Sequence, residues 1–488
     1  MPSKQLKNIL PEKTGWRALK EVHNAPVNGM TFDSRKVEKN WLFAAVLGNA
    51  LDGHDYIENA IESGATYIVC ERRPDKIHDD VNYLMVDNTA SAMAEMAQKF
   101  FDNPSEKIKL VGITGTNGKT TVATLLYRAW LELGVTAGLI STVEISYADV
   151  VIPAELTTPD IITLNGLLYE MLQNGVTHTA MEVSSHAIDQ GRIKDIRFHG
   201  GVFTNISHDH LDYHGDMSTY IAVKRSFFQQ LPKDAFALIN ADDPRGKVML
   251  EKIPCRFALY SLSDLVEYKG KIINMDLMGM LLEVNEMRFY SRLTGWFNAY
   301  NLLAVLGVLD LMKYEMHEIA RVLSVVKTAE GRFECMFDES KGRVAIIDYA
   351  HTPDALENVL KTIRRIGVKG RLVTVMGCGG NRDKKKRPIM AKVAARWSDQ
   401  VVMTSDNPRF EDPKDILMDM SQGLDEEDKR KTLSIENREE AIKAAYMMSK
   451  EGDVILIAGK GHEKYQEIKG IKYPFDDKKV ISALMKDA

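Results

Sequence analysis

The run GITGTNGKTT, residues 112–121, governs how the rest of the chain is read. It follows a short apolar stretch, residues 109–111, and opens a helical pattern over residues 122–132. A glycine-rich turn from strand to helix aims backbone N–H groups at one spot. The helix N-terminus adds partial positive charge there, so the spot suits phosphate. Gly115, Thr116, Asn117, Gly118, Lys119, Thr120 and Thr121 are therefore candidate nucleotide-binding residues. Lys119 can neutralise β- and γ-phosphate oxygens, and the Thr120 hydroxyl can hold Mg²⁺. A tight turn that binds nothing has no need of a lysine and paired threonines at these places. The spacing is compact: a standard P-loop has four residues between its first glycine and Gly-Lys. Gly115-Thr-Asn-Gly118-Lys119 leaves only two.

The bulk numbers bound the answer. A chain of 488 residues should divide into roughly three domains. It is 45% hydrophobic and 27% charged, ordinary for a soluble enzyme. A formal charge of −5 and a pI near 6.2 argue against a nucleic-acid or anionic-membrane surface, so any anion site must be local. The four cysteines, Cys70, Cys255, Cys335 and Cys378, form no C-x-x-C pair and suggest neither a disulfide framework nor a zinc site. That fits a reducing compartment. The start, MPSKQLKNIL, lacks the long apolar core of a signal peptide. No stretch reaches the roughly 18 apolar residues of a membrane span. The expectation is a cytoplasmic protein without nucleic-acid or membrane partners.

Residues 1 to about 105 carry an α/β pattern with no phosphate loop, and FFDNPSEK, residues 100–107, reads as a linker broken by Asn103-Pro104-Ser105. A second block runs to about Gly331, with strands expected at 110–113, 179–183, 201–204 and 235–239. The third has strands expected at 344–348, 372–376, 400–404 and 454–457. Helical patterns separate them, which suggests parallel sheets. Polar clusters begin at the carboxyl ends of these strands: VGITGTNGKTT, AMEVSSH, FTNISHDHLDYH, IIDYAHTPD, VMGCGGNRD, VVMTSDNPR and ILIAGKGHE. Open α/β sheets bind ligands outside the carboxyl ends of their strands. Seven such clusters in two blocks point to two nucleotide-fold domains facing one cleft.

Individual clusters carry chemistry. Glu182, a carboxylate at a strand end near the phosphate loop, is suited to Mg²⁺. NISHDHLDYH, residues 205–214, packs three histidines and two aspartates into ten residues, a metal or phosphate pattern. No H-E-x-x-H run marks a zinc hydrolase. Lys224, read alone, is a helix-surface lysine. In Asp406-Asn407-Pro408-Arg409, Pro408 stiffens a turn and Arg409 offers a planar fork for a carboxylate. Arg382 is a second strand-end arginine, and Glu463, after Gly459, can take an ammonium. Together they make an amino-acid site.

In this order the clusters resemble the Mur ligases over essentially the whole chain. GTNGKTT, HDHLD, GRFE (residues 331–334), DYAHTPD (348–354), DNPR and GKGHE are present, and residues 33–57 resemble the family's uridine-binding segment. The resemblance implies three α/β domains. Residues 1–105 would hold a UDP moiety, 106–331 form a P-loop parallel-sheet ATPase domain, and 332–488 form a Rossmann-like domain that docks an amino acid. It implies that Ser34 contacts uridine, and that Thr157, Thr158, Ser184, Gln190 and Arg192 hold a muramoyl-dipeptide. Asn298, Asn301, Asp348 and His351 would lie around ATP. Thr120, Glu182, His210 and Lys224, the last as a carbamate, would serve two Mg²⁺. A carbamate provides anionic oxygens that an ammonium cannot. Arg382, Asp406, Asn407, Arg409, Gly459 and Glu463 would receive the amino acid. DNPR is associated with meso-2,6-diaminopimelate, whose second carboxylate Arg409 would neutralise. Leu156 and Trp296 depart from residues often found at their positions, without breaking a catalytic motif.

The implied activity is ATP-dependent amide formation on UDP-MurNAc-L-Ala-D-Glu through an acyl phosphate, by a monomeric cytoplasmic enzyme of peptidoglycan precursor synthesis. Lys119, Glu182, His210 and Lys224 would be its catalytic residues. A folylpolyglutamate synthase is the nearest rival, and the DSRKV segment and DNPR argue against it. A guanine-nucleotide switch would show N-K-x-D, which is absent.

Overall fold

The computed structural model describes residues 2–21, 25–48, 51–207 and 209–486, with the backbone alone of Asp212. His208 and the Asp212 side chain, both in the histidine-rich cluster, lie outside the described residues.

The N-terminal part is a five-stranded sheet in the order Trp16–Ala18, Asn82–Val86, Ala65–Cys70, Trp41–Ala44, Gly29–Thr31. All neighbours are parallel except the first pair. Helix Thr89–Phe100 closes it. The chain then breaks as the sequence suggests: Asp102 and Asn103 adopt positive φ (63° and 50°) before the short turn Pro104–Glu106. This joint is not a loose linker. Phe100 and Phe101 are buried with their rings edge to face at 4.9 Å, and the Ser105 Oγ accepts from the Arg197 N–H at 3.1 Å.

The central sheet has eleven strands. Its parallel core runs Ala137–Ile140, His178–Glu182, Lys109–Thr114, Gly200–Phe203, Phe236–Asn240, Arg256–Ser261. The expectation of purely parallel sheets is corrected at the edges. Glu144–Tyr147 and Val150–Pro153 turn back on one side, and the meander Tyr268–Asp276, Gly279–Val284, Met287–Ser291 runs antiparallel on the other. Strands wrapped by helices on both faces become continuous apolar runs, and residues 110–114 are all buried. Helix Trp296–Leu311 is apolar around most of its circumference, and it packs into the core beside helix Lys119–Glu132.

The third sheet runs Glu334–Asp338, Arg343–Asp348, Val454–Ala458, Leu372–Cys378, Gln400–Ser405, Thr432–Ser434, parallel after the first pair. Helices Pro353–Arg365 and Lys386–Trp397 belong to one of its cores, and Arg438–Met448 and Asp477–Lys486 to the other. Each strand expected in the second and third blocks forms within two residues of its predicted bounds. All seven polar clusters follow carboxyl ends of strands. Among the described residues no helix is long and apolar enough to cross a membrane.

Candidate active site

The carboxyl ends of the central and third sheets line one cavity of about 1130 Å³. Its floor is the phosphate loop. The Thr116 N–H donates to the Asn205 carbonyl (2.8 Å) and the Asn117 N–H to Asn205 Oδ1 (2.9 Å), while Thr204 Oγ1 donates to the Asn117 carbonyl (2.6 Å). The strand end at Thr204–Asn205 thus moulds the loop. Gly115 is at φ 149°, and a Cβ there would sit 1.9 Å from Thr204 Oγ1. The helix begins at Lys119, three residues before the expected pattern, so that residue is not on a freely exposed loop. Its Nζ donates to the Gly115 and Thr116 carbonyls (2.9 and 2.8 Å). Burial lowers its pKa, opposed by Glu182 and Asp209.

Two charged candidates are buried, and one of them, Lys224, reads as a helix-surface residue in the sequence. Glu182 is fully buried; its Oε1 accepts from the Thr142 N–H (2.7 Å) and its Oε2 from the Thr142 hydroxyl (3.1 Å). Lys224, on helix Met217–Gln229, is 1% exposed. Its Nζ donates to the Gly115 carbonyl at 3.0 Å and lies 4.9 Å over the Tyr220 ring. Burial holds this amine well below the ordinary lysine range, reinforced by Lys119. His210 sits in the left-handed region at φ 54°, its ring edge-on to His186 at 4.8 Å. Burial pulls the imidazole down to about 4, opposed by Asp209. A neutral ring nitrogen can ligate a metal.

A brace stands beside Glu182. Thr158 Oγ1 donates to the Glu182 carbonyl (2.8 Å) and accepts from the Ser184 N–H (3.1 Å). Arg192 donates from Nη1 to the Thr158 carbonyl (3.0 Å) and from Nε to Gln190 Oε1 (3.0 Å). Thr157 and Ser184 face the cavity, whereas Thr158, Gln190 and Arg192 stand outside its lining.

The opposite wall comes from the third sheet. Asp348 is buried, accepting from the Phe333 and Ala350 N–H groups (2.7 and 2.8 Å), and burial raises its pKa. His351 lines the cavity with its ring 4.6 Å from Tyr349. Asn301 donates to Asn298 Oδ1 (3.0 Å); Asn301 faces the cavity and Asn298 stands behind it. Asp406, Asn407 and Glu463 gather around the buried Lys460, whose Nζ donates to Asn407 Oδ1 (2.9 Å) and Glu463 Oε2 (3.2 Å). Arg409 donates from Nη1 to the Gly380 carbonyl (2.8 Å), and its Nε lies 3.4 Å from Glu467. Arg382 and Gly459 line the same wall; Pro408 does not. Ser34 is buried in the N-terminal part, away from this cavity.

Several contributors carried no role in the sequence reading. Arg332, inside the GRFE run, bridges the sheets: its Nη2 donates to Thr120 Oγ1 (3.2 Å) and its guanidinium lies 4.5 Å over Tyr349. Its place in a recurrent run was the available signal. Asp354, in the third block, accepts from Asn117 Nδ2 (3.1 Å), a second link between the blocks. Thr142, Tyr220 and Lys460 act through contacts between elements distant in sequence, which no local pattern announces.

A phosphate cradle opposed by carboxylates and guanidinium groups suits the joining of an acid to an amine with nucleotide cleavage, so fold and site define an ATP-dependent amide ligase. Comparison with known proteins makes this specific. The family profiles described as Mur ligase family, catalytic domain, Mur ligase middle domain, and Mur ligase, glutamate ligase domain match residues 26–101, 113–309 and 331–461. A UDP-N-acetylmuramoyl-L-alanyl-D-glutamate--2,6-diaminopimelate ligase of Cytophaga hutchinsonii is 50% identical over 460 residues, 94% of each chain. Its Bacteroides fragilis namesake is 50% identical over 459 residues, again 94% of each. A solved structure of a ligase of that name superposes with a TM-score of 0.72 at 30% identity, covering 100% of this chain and 99% of the other. The chain belongs to the Mur ligase family and is an ATP-dependent ligase.

Proposed function

We propose that the enzyme joins an amino group of meso-2,6-diaminopimelate to the D-Glu γ-carboxylate of UDP-MurNAc-L-Ala-D-Glu. The γ-carboxylate attacks the γ-phosphorus of ATP, giving an acyl phosphate and ADP. The amine then attacks the acyl carbon, loses a proton, and phosphate leaves. The observation that carries this reading is that Arg409, Asp406, Asn407 and Glu463 share one cavity with Lys119 and Glu182. The names of the most similar relatives support the same substrates. In this reading residues 1–105 hold the UDP moiety, with Ser34 at the uridine end, residues 106–331 bind ATP, and residues 332–488 bind the amino acid.

Each side chain has a task. Gly115, Thr116 and Asn117 shape the loop, Gly118–Thr121 at the helix start offer N–H groups to the phosphates, and Lys119 neutralises the transferring phosphoryl group. Arg332, held between Thr120 and Tyr349, brings a second cation to the same place. Asn298, Asn301, Asp348 and His351 surround the nucleotide. Thr157, Thr158, Ser184, Gln190 and Arg192 orient the dipeptide carboxylate. Glu463 takes the ammonium and Arg409 the carboxylate at the far end of diaminopimelate, with Arg382, Asp406, Asn407, Pro408 and Gly459 shaping that pocket.

Thr120, Glu182, His210 and Lys224, the last as a carbamate, would serve Mg²⁺. Among the described residues no three His, Cys, Asp or Glu side chains group closely enough to hold a metal. A carbamate on Lys224 would add an anionic ligand to Glu182 and His210. Burial of Lys224 favours the uncharged amine, the form that can add CO₂ to give a carbamate and a proton. Mg²⁺ bound there would supply positive charge to the phosphate oxygens. The enzyme is read as a cytoplasmic monomer without nucleic-acid or membrane partners, consistent with its charge of −5.

The test is a panel of amino acids with ATP and UDP-MurNAc-L-Ala-D-Glu, scored by product mass and ADP release. Efficient use of meso-diaminopimelate over L-lysine is expected. Preference for lysine, or ADP release that ignores the dipeptide, would overturn the reading.

A further inference from the structure

Arg387, on helix Lys386–Trp397, is wholly buried and lines no part of the cavity. It grips Glu411 fork to fork, Nη1 to Oε2 and Nη2 to Oε1, both at 2.9 Å. Nη1 also donates to Asp419 Oδ2 (2.8 Å) and Nη2 to the Gly379 carbonyl (3.3 Å). Glu411 in turn accepts from the Asn381 N–H and pairs with Lys384 at 3.2 Å. Glu411 lies two residues beyond Arg409, and Asn381 one before Arg382.

Around this pair two loops are zipped together. The Gly380 N–H donates to the Asn407 carbonyl (2.9 Å), Arg409 Nη1 to the Gly380 carbonyl (2.8 Å), and the Phe410 N–H to Asn381 Oδ1 (3.0 Å). A Cβ on Gly380 would lie 1.9 Å from the Pro408 carbonyl, so the backbones touch. Arg409 and Asn381 both hold left-handed backbone, at φ 52° and 51°. Asn adopts that region readily, whereas for Arg409 it is costly and is kept where the surroundings hold it. A buried ion pair adds little stability compared with an apolar pair of similar volume, whereas a bidentate fork fixes geometry.

We propose that Arg387 and Glu411 are positioning residues for amino-acid selection: they lock the Arg409 loop to the Arg382 loop and so set where the Arg409 guanidinium meets the far carboxylate. The proposal rests on the reading of Arg409 given above.

The experiment compares wild type, Arg409→Ala, Glu411→Gln, Arg387→Lys and Asn381→Gly. Each is assayed with meso-diaminopimelate and with L-lysine, with KM measured for ATP and UDP-MurNAc-dipeptide, and with thermal melting alongside. Glu411→Gln should raise the KM for diaminopimelate by about ten- to a hundred-fold, as misplacement of a binding group does, and lower the diaminopimelate-to-lysine efficiency ratio in step. KM for ATP should not move. Arg387→Lys should fall between, since a point charge cannot reproduce the fork. Asn381→Gly, which suits a left-handed position, should fold even if Glu411→Gln does not, and should shift the ratio the same way by less. Equal losses for both amino acids, following melting temperature alone, would reduce the pair to a structural role and overturn the proposal. If Arg409→Ala collapses the ratio while Glu411→Gln, or Asn381→Gly in its stead, leaves it intact, only the clamp fails. If Arg409→Ala leaves the ratio unchanged, the reading of Arg409 fails first.

Discussion

The two walls of the cavity are built on different principles. The wall proposed for phosphate is largely backbone: a loop with glycines at positive φ and a helix start, moulded by Thr204 and Asn205. The amino-acid wall is almost entirely side chain, with Asp406, Asn407, Lys460 and Glu463 in one network and Arg409 held by Gly380 and Glu467. Backbone recognition suits a group common to many reactions. Side-chain recognition can be retuned one residue at a time, and that is where relatives with different substrates can diverge.

If the contrast is right, damage should sort by wall. The largest effect is expected beneath the amino-acid wall. Arg438 and Asp477 form a bidentate pair, both bonds 2.8 Å and both side chains fully buried, and Arg438 Nη2 also donates to the Ala458 carbonyl just before Gly459. Asp477→Ala leaves a buried charge unpaired and should cost about 3–5 kcal/mol, read by denaturant unfolding. A loss under about 1 kcal/mol would show the pair is not what holds the wall.

Lys119→Ala tests the other wall. It should lower kcat by about 10²–10³, roughly 3–4 kcal/mol, equally for every amino acid offered. A loss confined to one amino acid would blur the distinction between walls. Arg409→Ala should do the reverse. It should cost about 2 kcal/mol or more against diaminopimelate and leave the constants for ATP nearly unchanged, measured by steady-state kinetics.

Gly115→Ala probes the backbone itself. A side chain at φ 149° pressed against Thr204 should cost about 1–3 kcal/mol and weaken ATP binding, as calorimetry would report. The smallest effect concerns acid. The Arg387 fork pulls Glu411 from its ordinary 4.5 down to about 2. A lowered folded pKa means the stabilisation is present above about pH 4.5 and is lost as pH falls toward 2. The melting difference between wild type and Glu411→Gln should therefore shrink across that window; a difference that grows would contradict the assignment.

Local patterning determined a large share of this enzyme. The strands, the phosphate loop and the placing of seven polar clusters at strand ends all follow from runs of apolar residues broken by glycine and charge. These signals are local because an apolar run and the turn that ends it are written in neighbouring residues, even though the strands pair at a distance. The antiparallel strands at both edges of the central sheet escaped, since edge pairing depends on which surface is left uncovered. Lys224 reads as a surface charge from its own segment, and only the packing of distant elements buries it and Glu182. The reach of Arg332 to Thr120, the brace of Thr142 on Glu182, and the Arg387–Glu411 clamp join residues tens to hundreds of positions apart. Such contacts have no period to read. Sequence alone therefore determined the strand–loop–helix run proposed to bind phosphate, whereas tertiary structure decided which charges lose their water and which partners orient them, because burial and geometry belong to the assembled chain.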